Sequence, residues 1–452
     1  MSALAGINRP NEFNLVSKML DKMSHRASKV RKIFSKENST FGICSNFHSL
    51  SEIEKFQLDK IITHNQFNSH FVYAKEIDSS IELRRDFMGV VPLYYGFDDQ
   101  NSICFASEIK ALLVVTRDIN ELKPGTKFYK GKSFVIDTLK LPDKFISDSI
   151  ETIASELRTK IENSIFKRIE DKDEFGSWLS GGIDSSVIAS VASKRLKKLY
   201  TFSGGLKDSN DLKFARILAE HINSRHFEIV VNKEEILKVL PDVIYYLESF
   251  DSYLVRSSII NYIVNSKARD YIDEVFSGES GDELFAGYDY LKLIPINELP
   301  LELINITRAL ANTAFQRVDR SAYSNEIIPH VPFSDPDVVN YVLQIPPELK
   351  IKNGIEKWIL REAMKDYLPE EIYNRPKEKF WQGSGLKNLL EEYAEAKITN
   401  FEFNSNRTLD NGFRLRTKEE YLYYKIFEEH FGEFENFDWL GFSKINSVQK
   451  YN

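Results

Sequence analysis

Two short segments of this 452-residue chain gather the residue types that handle phosphate and metal. The first is Leu179-Ser180-Gly181-Gly182-Ile183-Asp184-Ser185-Ser186, between an apolar run that reads as a strand and one with helical spacing. A strand-to-helix turn presents backbone N–H groups at a helix N-terminus, where an anion is favoured. Gly181 and Gly182 permit positive φ and close approach of a phosphate, and the hydroxyls of Ser180, Ser185 and Ser186 add donors. Asp184 puts a carboxylate where an anion is expected, which makes sense if Mg²⁺ bridges it to phosphate. The plainer alternative is an ordinary turn with Asp184 or Ser185 capping the helix. The second segment, Ser277-Gly278-Glu279-Ser280-Gly281-Asp282-Glu283, follows another apolar strand, Glu274-Val275-Phe276. Three acids among small residues repel one another unless cation or phosphate chemistry organises them. Together the segments read as a nucleotide site, with Asp184 and Asp282 as metal carboxylates. The first segment lacks Gly-Lys-Ser/Thr and is not a Walker loop.

The surrounding elements must hold these segments side by side. Phe175–Leu179, Leu199–Phe202 and His226–Val231 read as strands, alternating with helices over Ser185–Leu196 and Leu212–Ile222. That alternation predicts an α/β fold with a parallel sheet covered by helices on both faces. Upstream, Ile150, Ile153, Leu157, Ile161 and Ile165 recur at helical spacing. The first 140 residues read as short strands and turns, including Val90–Tyr95 and Ser102–Ala106. Leu139–Ser147 is the expected linker, so the domains are expected over 1–140 and 148–452. Beyond Ile236 the chain reads as mainly helical, with a Phe/Tyr-rich tail from Asn400.

Composition narrows the partners. With 60 Lys plus Arg against 67 Asp plus Glu, the formal charge is -7, whereas a duplex binder usually shows a basic face. The run Lys194, Arg195, Lys197, Lys198 reads as a solvated helix end. Cys44 and Cys104 cannot by themselves build a metal site or a disulfide framework, and their apolar surroundings suggest buried thiols in a reducing compartment. No apolar stretch approaches the roughly 18 residues of a membrane span. The first residues lack the basic flank and long apolar core of a signal peptide. The expectation is a cytoplasmic protein with small-molecule partners, no nucleic acid and no membrane, and with a homodimer left open.

The residues also carry a resemblance. Asparagine synthetases have a Ser-Gly-Gly-x-Asp-Ser loop and then Ser-Gly-Glu-Gly-Ser-Asp-Glu-x-Phe-x-Gly-Tyr. This chain is similar, with Ser277 to Tyr288 differing by an exchange of the central Gly and Ser at 280 and 281. Gly205–Lys213, Asp251–Ser258, Lys357–Arg361 and Asn374–Phe380 resemble further family segments. Val331-Pro332-Phe333-Ser334-Asp335 matches the usual Val-Pro-Phe-Leu-Asp except at Ser334. The matches run in order from about Asp148 to Gly385. The resemblance implies an ATP-pyrophosphatase-type (adenine nucleotide α-hydrolase-like) sheet with a helical C-terminal part. It also implies a truncated N-terminal-nucleophile-like β-rich domain in front. ATP and Mg²⁺ are the implied cofactors, and the implied chemistry is adenylation of a carboxylate followed by amide formation, aspartate and ammonia being the leading acid and amine. On this resemblance Leu179, Ser180, Gly181, Gly182, Asp184, Ser185, Gly204, Ser277, Gly278 and Glu279 contact nucleotide. Lys377, Glu326 and Asp282 are assigned to catalysis, and Arg256, Lys357 and Arg361 to substrate. Lys357 and Arg361 read equally well as helix-surface charges.

Three departures stand against the pattern. Ser2 occupies the place of the family's glutaminase nucleophile, a cysteine, and a hydroxyl needs stronger base assistance than a thiol. Between Arg26 and Arg85 the chain is markedly shorter than the family and lacks the glutamine-holding segments, so this half is expected to be structural. Finally Ile328 stands where the family has a glutamate that is a candidate base for the amine; Glu326, His330 and Tyr323 are the possible substitutes. A β-lactam synthetase-like or macrolactam-cyclase-like ligase is the alternative within this chemistry, and a catalytically dead scaffold the alternative outside it.

Overall fold

A computed structural model describes residues 2–46, 61–66, 69–376 and 386–443. The N-terminal part is two antiparallel sheets packed face to face. One runs β2 (Val30–Ser35), β3 (Thr40–Ser45), β1 (Ser2–Ile7), β8 (Ile103–Ala106), β7 (Tyr94–Phe97), β9 (Asn120–Glu121) in spatial order. The other runs β11 (Lys132–Val135), β10 (Thr126–Tyr129), β6 (Ser80–Arg85), β5 (His70–Ile77), β4 (Ile61–Gln66). Side chains alternate across each strand, so Leu4, Phe41 and Ile43 meet Val72, Ala74 and Leu83 between the sheets. Ala3, Ala5 and Ile7 point the other way, onto Val16, Met19 and Leu20 of helix α1 (Phe13–Asp21). Cys44 and Cys104 are buried, unpaired thiols here, as their apolar neighbours suggested. The strand expected over Val90–Tyr95 begins only at Tyr94. Asp86 accepts the N–H groups of Met88 and Gly89, and Arg85 donates to the carbonyls of Gly89 and Val91, which folds that apolar run into a turn.

The second part is built on a five-stranded, wholly parallel sheet in the order β14 (Arg225–Val231), β13 (Lys198–Leu206), β12 (Glu174–Trp178), β15 (Glu274–Phe276), β16 (Ile328–His330). Helices α2 (Ile150–Phe166), α3 (Ile183–Ala192), α4 (Asn210–His221), α5 (Lys233–Leu247) and α6 (Ser252–Ala268) connect and cover it. The expected alternation is realised, because runs such as Leu199 to Phe202 are buried on both faces. The chain winds outward from β12 to β14 and then crosses back to β15 on the other side of β12. The order therefore reverses between β12 and β15, and such a reversal opens a crevice at the strands' carboxyl ends.

The expected linker is pinned, although it forms no regular element. Arg308 donates to the carbonyl of Leu139 at 2.6 Å, and the Ile146 N–H reaches the Gln344 carbonyl at 2.9 Å. Helix α7 (Ala314–Tyr323) lies against α6 and α5. The aromatic tail folds back onto α5 and α6 through α8 (Leu386–Lys397) and α9 (Lys418–Phe431). Phe250 is its hub, with the rings of Phe413, Tyr424, Phe427, Phe437 and Phe442 at 5.1–5.7 Å. Asp251 caps α6 through the Leu254 N–H at 2.8 Å and also receives Arg416 at 2.6 Å and the Ser443 N–H at 3.0 Å.

Candidate active site

Both glycine-rich segments leave the sheet at the point of reversal. Ser177 pairs with Phe276, so the loop after Trp178 and the loop after Phe276 emerge side by side. In the first, Gly181 takes φ +67° and α3 begins at Ile183. The serine hydroxyls shape the loop: Ser185 Oγ accepts the Ser180 N–H at 3.2 Å and donates to the Gly182 carbonyl at 3.1 Å. In the second, the Ser277 N–H donates to the His330 carbonyl at 2.8 Å, tying the loop to the next strand. The loops touch at Asp184, against which Gly281 packs so tightly that a Cβ there would lie 2.3 Å from the carboxylate.

Lys357 stands between the two carboxylates. Its Nζ contacts Asp184 Oδ2 and lies 2.6 Å from Asp282 Oδ1, and the lysine is 1% exposed. Sequence left Lys357 open between surface and site; it is buried against both loops and is not a surface charge. Its backbone is left-handed, φ +55°, a conformation that a lysine holds only when its surroundings dictate it. An ammonium that reaches both acids keeps them about one ion's width apart. Two hard oxygen donors fit Mg²⁺, which is usually held by one or two carboxylates and keeps water and phosphate in its remaining positions. Among the described residues no cluster of three or more His, Cys, Asp or Glu could make an all-protein cage. Next to Asp282, burial and the neighbouring carboxylate push the Glu283 carboxyl up to about 8, and Tyr288 donates its hydroxyl to it.

Two cations with no expected role are close by. Arg317, on α7, pairs with Glu279 of the second loop. Arg375 donates to the Ser180 carbonyl at 2.8 Å and to Asp211 at 2.7 Å. The signal for Arg375 was present, because it lies within the matched Asn374–Phe380 segment; Arg317 had none.

Other expected site residues fall elsewhere. Arg361 is buried but spends its guanidinium on the carbonyls of Glu356, Tyr373 and Arg375 and on the Glu356 carboxylate. It braces the chain that carries Arg375 and does not face the carboxylate pair. Arg256 is 3% exposed and sealed by Glu419 and Glu391 of the tail, with its guanidinium turned to those helices. Glu326 precedes β16, whose Ile328 pairs with Glu274 and His330 with Phe276. It therefore lies at the amino ends of the strands, opposite both loops, and its carboxylate meets Ser28 at 3.3 Å. Neither substitute is better placed: His330 is bonded to Glu274 at 2.9 Å, and Tyr323 is buried under Arg26. Leu179 is buried and bonded to Phe202, while Gly204 sits inside β13, packed on Val264 and Ile260 of α6. Lys377 lies outside the described residues. Ser2 opens β1, its backbone opposite Ser45.

Comparison with known proteins adds independent findings. A family model described as asparagine synthase matches residues 156–313 and 301–446. One described as a glutamine amidotransferase domain matches residues 62–137. The glutamine-hydrolyzing asparagine synthetase of Homo sapiens is 33% identical over 414 residues, covering 82% of this chain and 73% of that protein. The corresponding protein of Gallus gallus is 33% identical over 407 residues, covering 80% and 72%.

Proposed function

The chain belongs to the asparagine synthetase family, and on that premise we propose that it is an ATP-dependent ligase joining aspartate and ammonia. Aspartate's side-chain carboxylate attacks the α-phosphorus of ATP, releasing pyrophosphate and leaving an acyl-adenylate; the amine then attacks the acyl carbon and AMP departs. The observation that carries this reading is the Asp184–Lys357–Asp282 cluster at the sheet's reversal point. Mg²⁺ held by Asp184 and Asp282 would neutralise triphosphate charge. Lys357 is placed to hold phosphate oxygens in line, and Arg375 fixes the loop that receives them. Lys377, in the matched basic segment, is proposed as the cation that meets charge developing on the departing group.

The division into 1–140 and 148–452 fits this reading, with the first unit as support. Ser2 at the nucleophile position and the shortened span before Arg85 argue against glutamine as nitrogen donor. Ile328 keeps a second reading open, a ligase of this chemistry acting on another acid and amine, because no carboxylate stands at that family position. Pyrophosphate release from purified protein with ATP, Mg²⁺ and a panel of carboxylic acids tests the proposal. Aspartate-dependent release with ammonium, matched by asparagine, is expected. Release that ignores aspartate but follows another acid favours the second reading, and none with any acid defeats both.

A further inference from the structure

Ser280 adopts φ +79° and ψ −10°, a left-handed conformation that strains any residue but glycine. Family members place glycine at this position and serine at the next, whereas this chain has exchanged them. The geometry gives the exchange a reason. Asp184 rests on Gly281, where any side chain would strike its carboxylate, so the glycine is needed at 281 and the left-handed position falls to a serine.

Something must then hold Ser280 in place. Its Oγ lies 2.7 Å from Ser334 Oγ, and the two residues are 1% and 0% exposed. The family's usual residue at 334 is leucine, which offers no hydroxyl, so two departures from the pattern meet in one hydrogen bond. Two buried hydroxyls often meet only to satisfy each other. Here, however, one partner is strained and the other is anchored. The Ser334 N–H donates to the Val331 carbonyl at 3.0 Å, and its own carbonyl meets His70 Nε2 of β5 at 3.1 Å. Asp335, next in sequence, is clasped by Arg168 at 3.0 Å, Lys167 at 2.5 Å and Ser69 at 3.1 Å. The Ser280 carbonyl in turn accepts the Leu284 N–H at 3.0 Å, closing the short turn that carries Asp282.

We propose that Ser334 is a positioning residue: through Ser280 it sets the turn that presents Asp282 to the nucleotide. The proposal rests on the reading of this site as the adenylating centre. It is tested with the full-length variants Ser334→Ala, Ser280→Gly and the double variant, read both by pyrophosphate release and by unfolding midpoint. Ser334→Ala strands the Ser280 hydroxyl on a strained backbone and should lower kcat about tenfold, with KM for ATP changed less than about twofold. Ser280→Gly in that background removes both the strain and the stranded hydroxyl and should restore most of the rate and the midpoint. Additive effects on the rate, or Ser334→Ala at the parent rate, would overturn the proposal. Coupling in the midpoint with flat rates would reduce the pair to an ordinary core contact and overturn it equally. A parent without pyrophosphate release would defeat the adenylation reading, and positioning with it, while the midpoints would still report whether the hydroxyl pair is real.

Discussion

Lys357 is the residue whose surroundings dictate most. Without it, Asp184 and Asp282 lose the cation they share, and losing one partner of a buried ion cluster costs about 3–5 kcal/mol. Lys357→Met should therefore lower the unfolding midpoint of the metal-free protein and make that midpoint respond to millimolar Mg²⁺ more strongly than the parent's does. An unchanged magnesium response would mean that the lysine and the metal do not share these carboxylates. Asp184→Asn and Asp282→Asn should each abolish pyrophosphate formation while far-ultraviolet circular dichroism stays native, since a metal-bridging carboxylate contributes several kcal/mol to the transition state. Lys350 makes a different point. It is 3% exposed in an apolar setting of Leu303, Ile304, Leu343 and Ile345, and burial pulls its ammonium down to about 7. Between about pH 7 and 10.5 the unfolded chain holds a proton that the folded chain lacks, so stability rises with pH across that window. Lys350→Met should stabilise the protein at pH 7 by a few kcal/mol, because each tenfold change in a proton-binding constant is worth about 1.4 kcal/mol, and it should flatten the alkaline rise. A chemical-denaturation series from about pH 6 to 10 decides it. The two acidic loops were legible because small residues and carboxylates after a strand have few other uses. Glu326 and Arg256 were misplaced because one-dimensional proximity to a motif does not say which end of a strand, or which face of a helix, a side chain occupies.

At the scale of elements, the basic segments near the C-terminal end of the sheet domain work as a brace. Arg361 grips the carbonyls of Tyr373 and Arg375, and Arg375 grips Ser180 of the phosphate loop and Asp211 of α4. A lysine ammonium, a compact point charge, does not reproduce the planar fork with which a guanidinium grips two acceptors on different elements. Arg375→Lys should raise KM for ATP roughly tenfold with little change in unfolding midpoint; an unchanged KM would show that the loop holds its shape alone. The helices and strands of the parallel sheet were readable from periodicity, because burial on both faces leaves β-branched and aromatic runs between helical stretches. The failure at Val90–Tyr95 has a physical cause. Arg85 and Asp86 satisfy the backbone groups there, so an apolar run with strand propensity turns instead.

At the scale of the whole molecule, the two parts meet in a buried set of charges. Arg26, Glu108 and Lys110 come from helical turns of the N-terminal part, and Glu248, Asp319 and Arg320 from the second part. Arg26 lies 2.8 Å from Glu108 and 2.7 Å from Asp319, fully buried. Arg26→Met leaves both carboxylates short of a cation and should cost about 3–5 kcal/mol. Calorimetry should show this as a shift of one shared transition; two separated transitions would mean the parts fold independently. Ammonium, and not glutamine, should supply nitrogen, and glutamate release in step with product would refute this. The expectation that the first unit is a support rests on its missing segments; that it is joined to the second part by buried charges could not be read from sequence, since those residues are scattered from 26 to 320. One further bond reaches far along the chain. Asp251, the cap of α6, is closed by Ser443, a residue 192 positions later. During synthesis Asp251 can meet this partner only after 192 further residues have been made, so the cap of that helix is completed long after the helix itself.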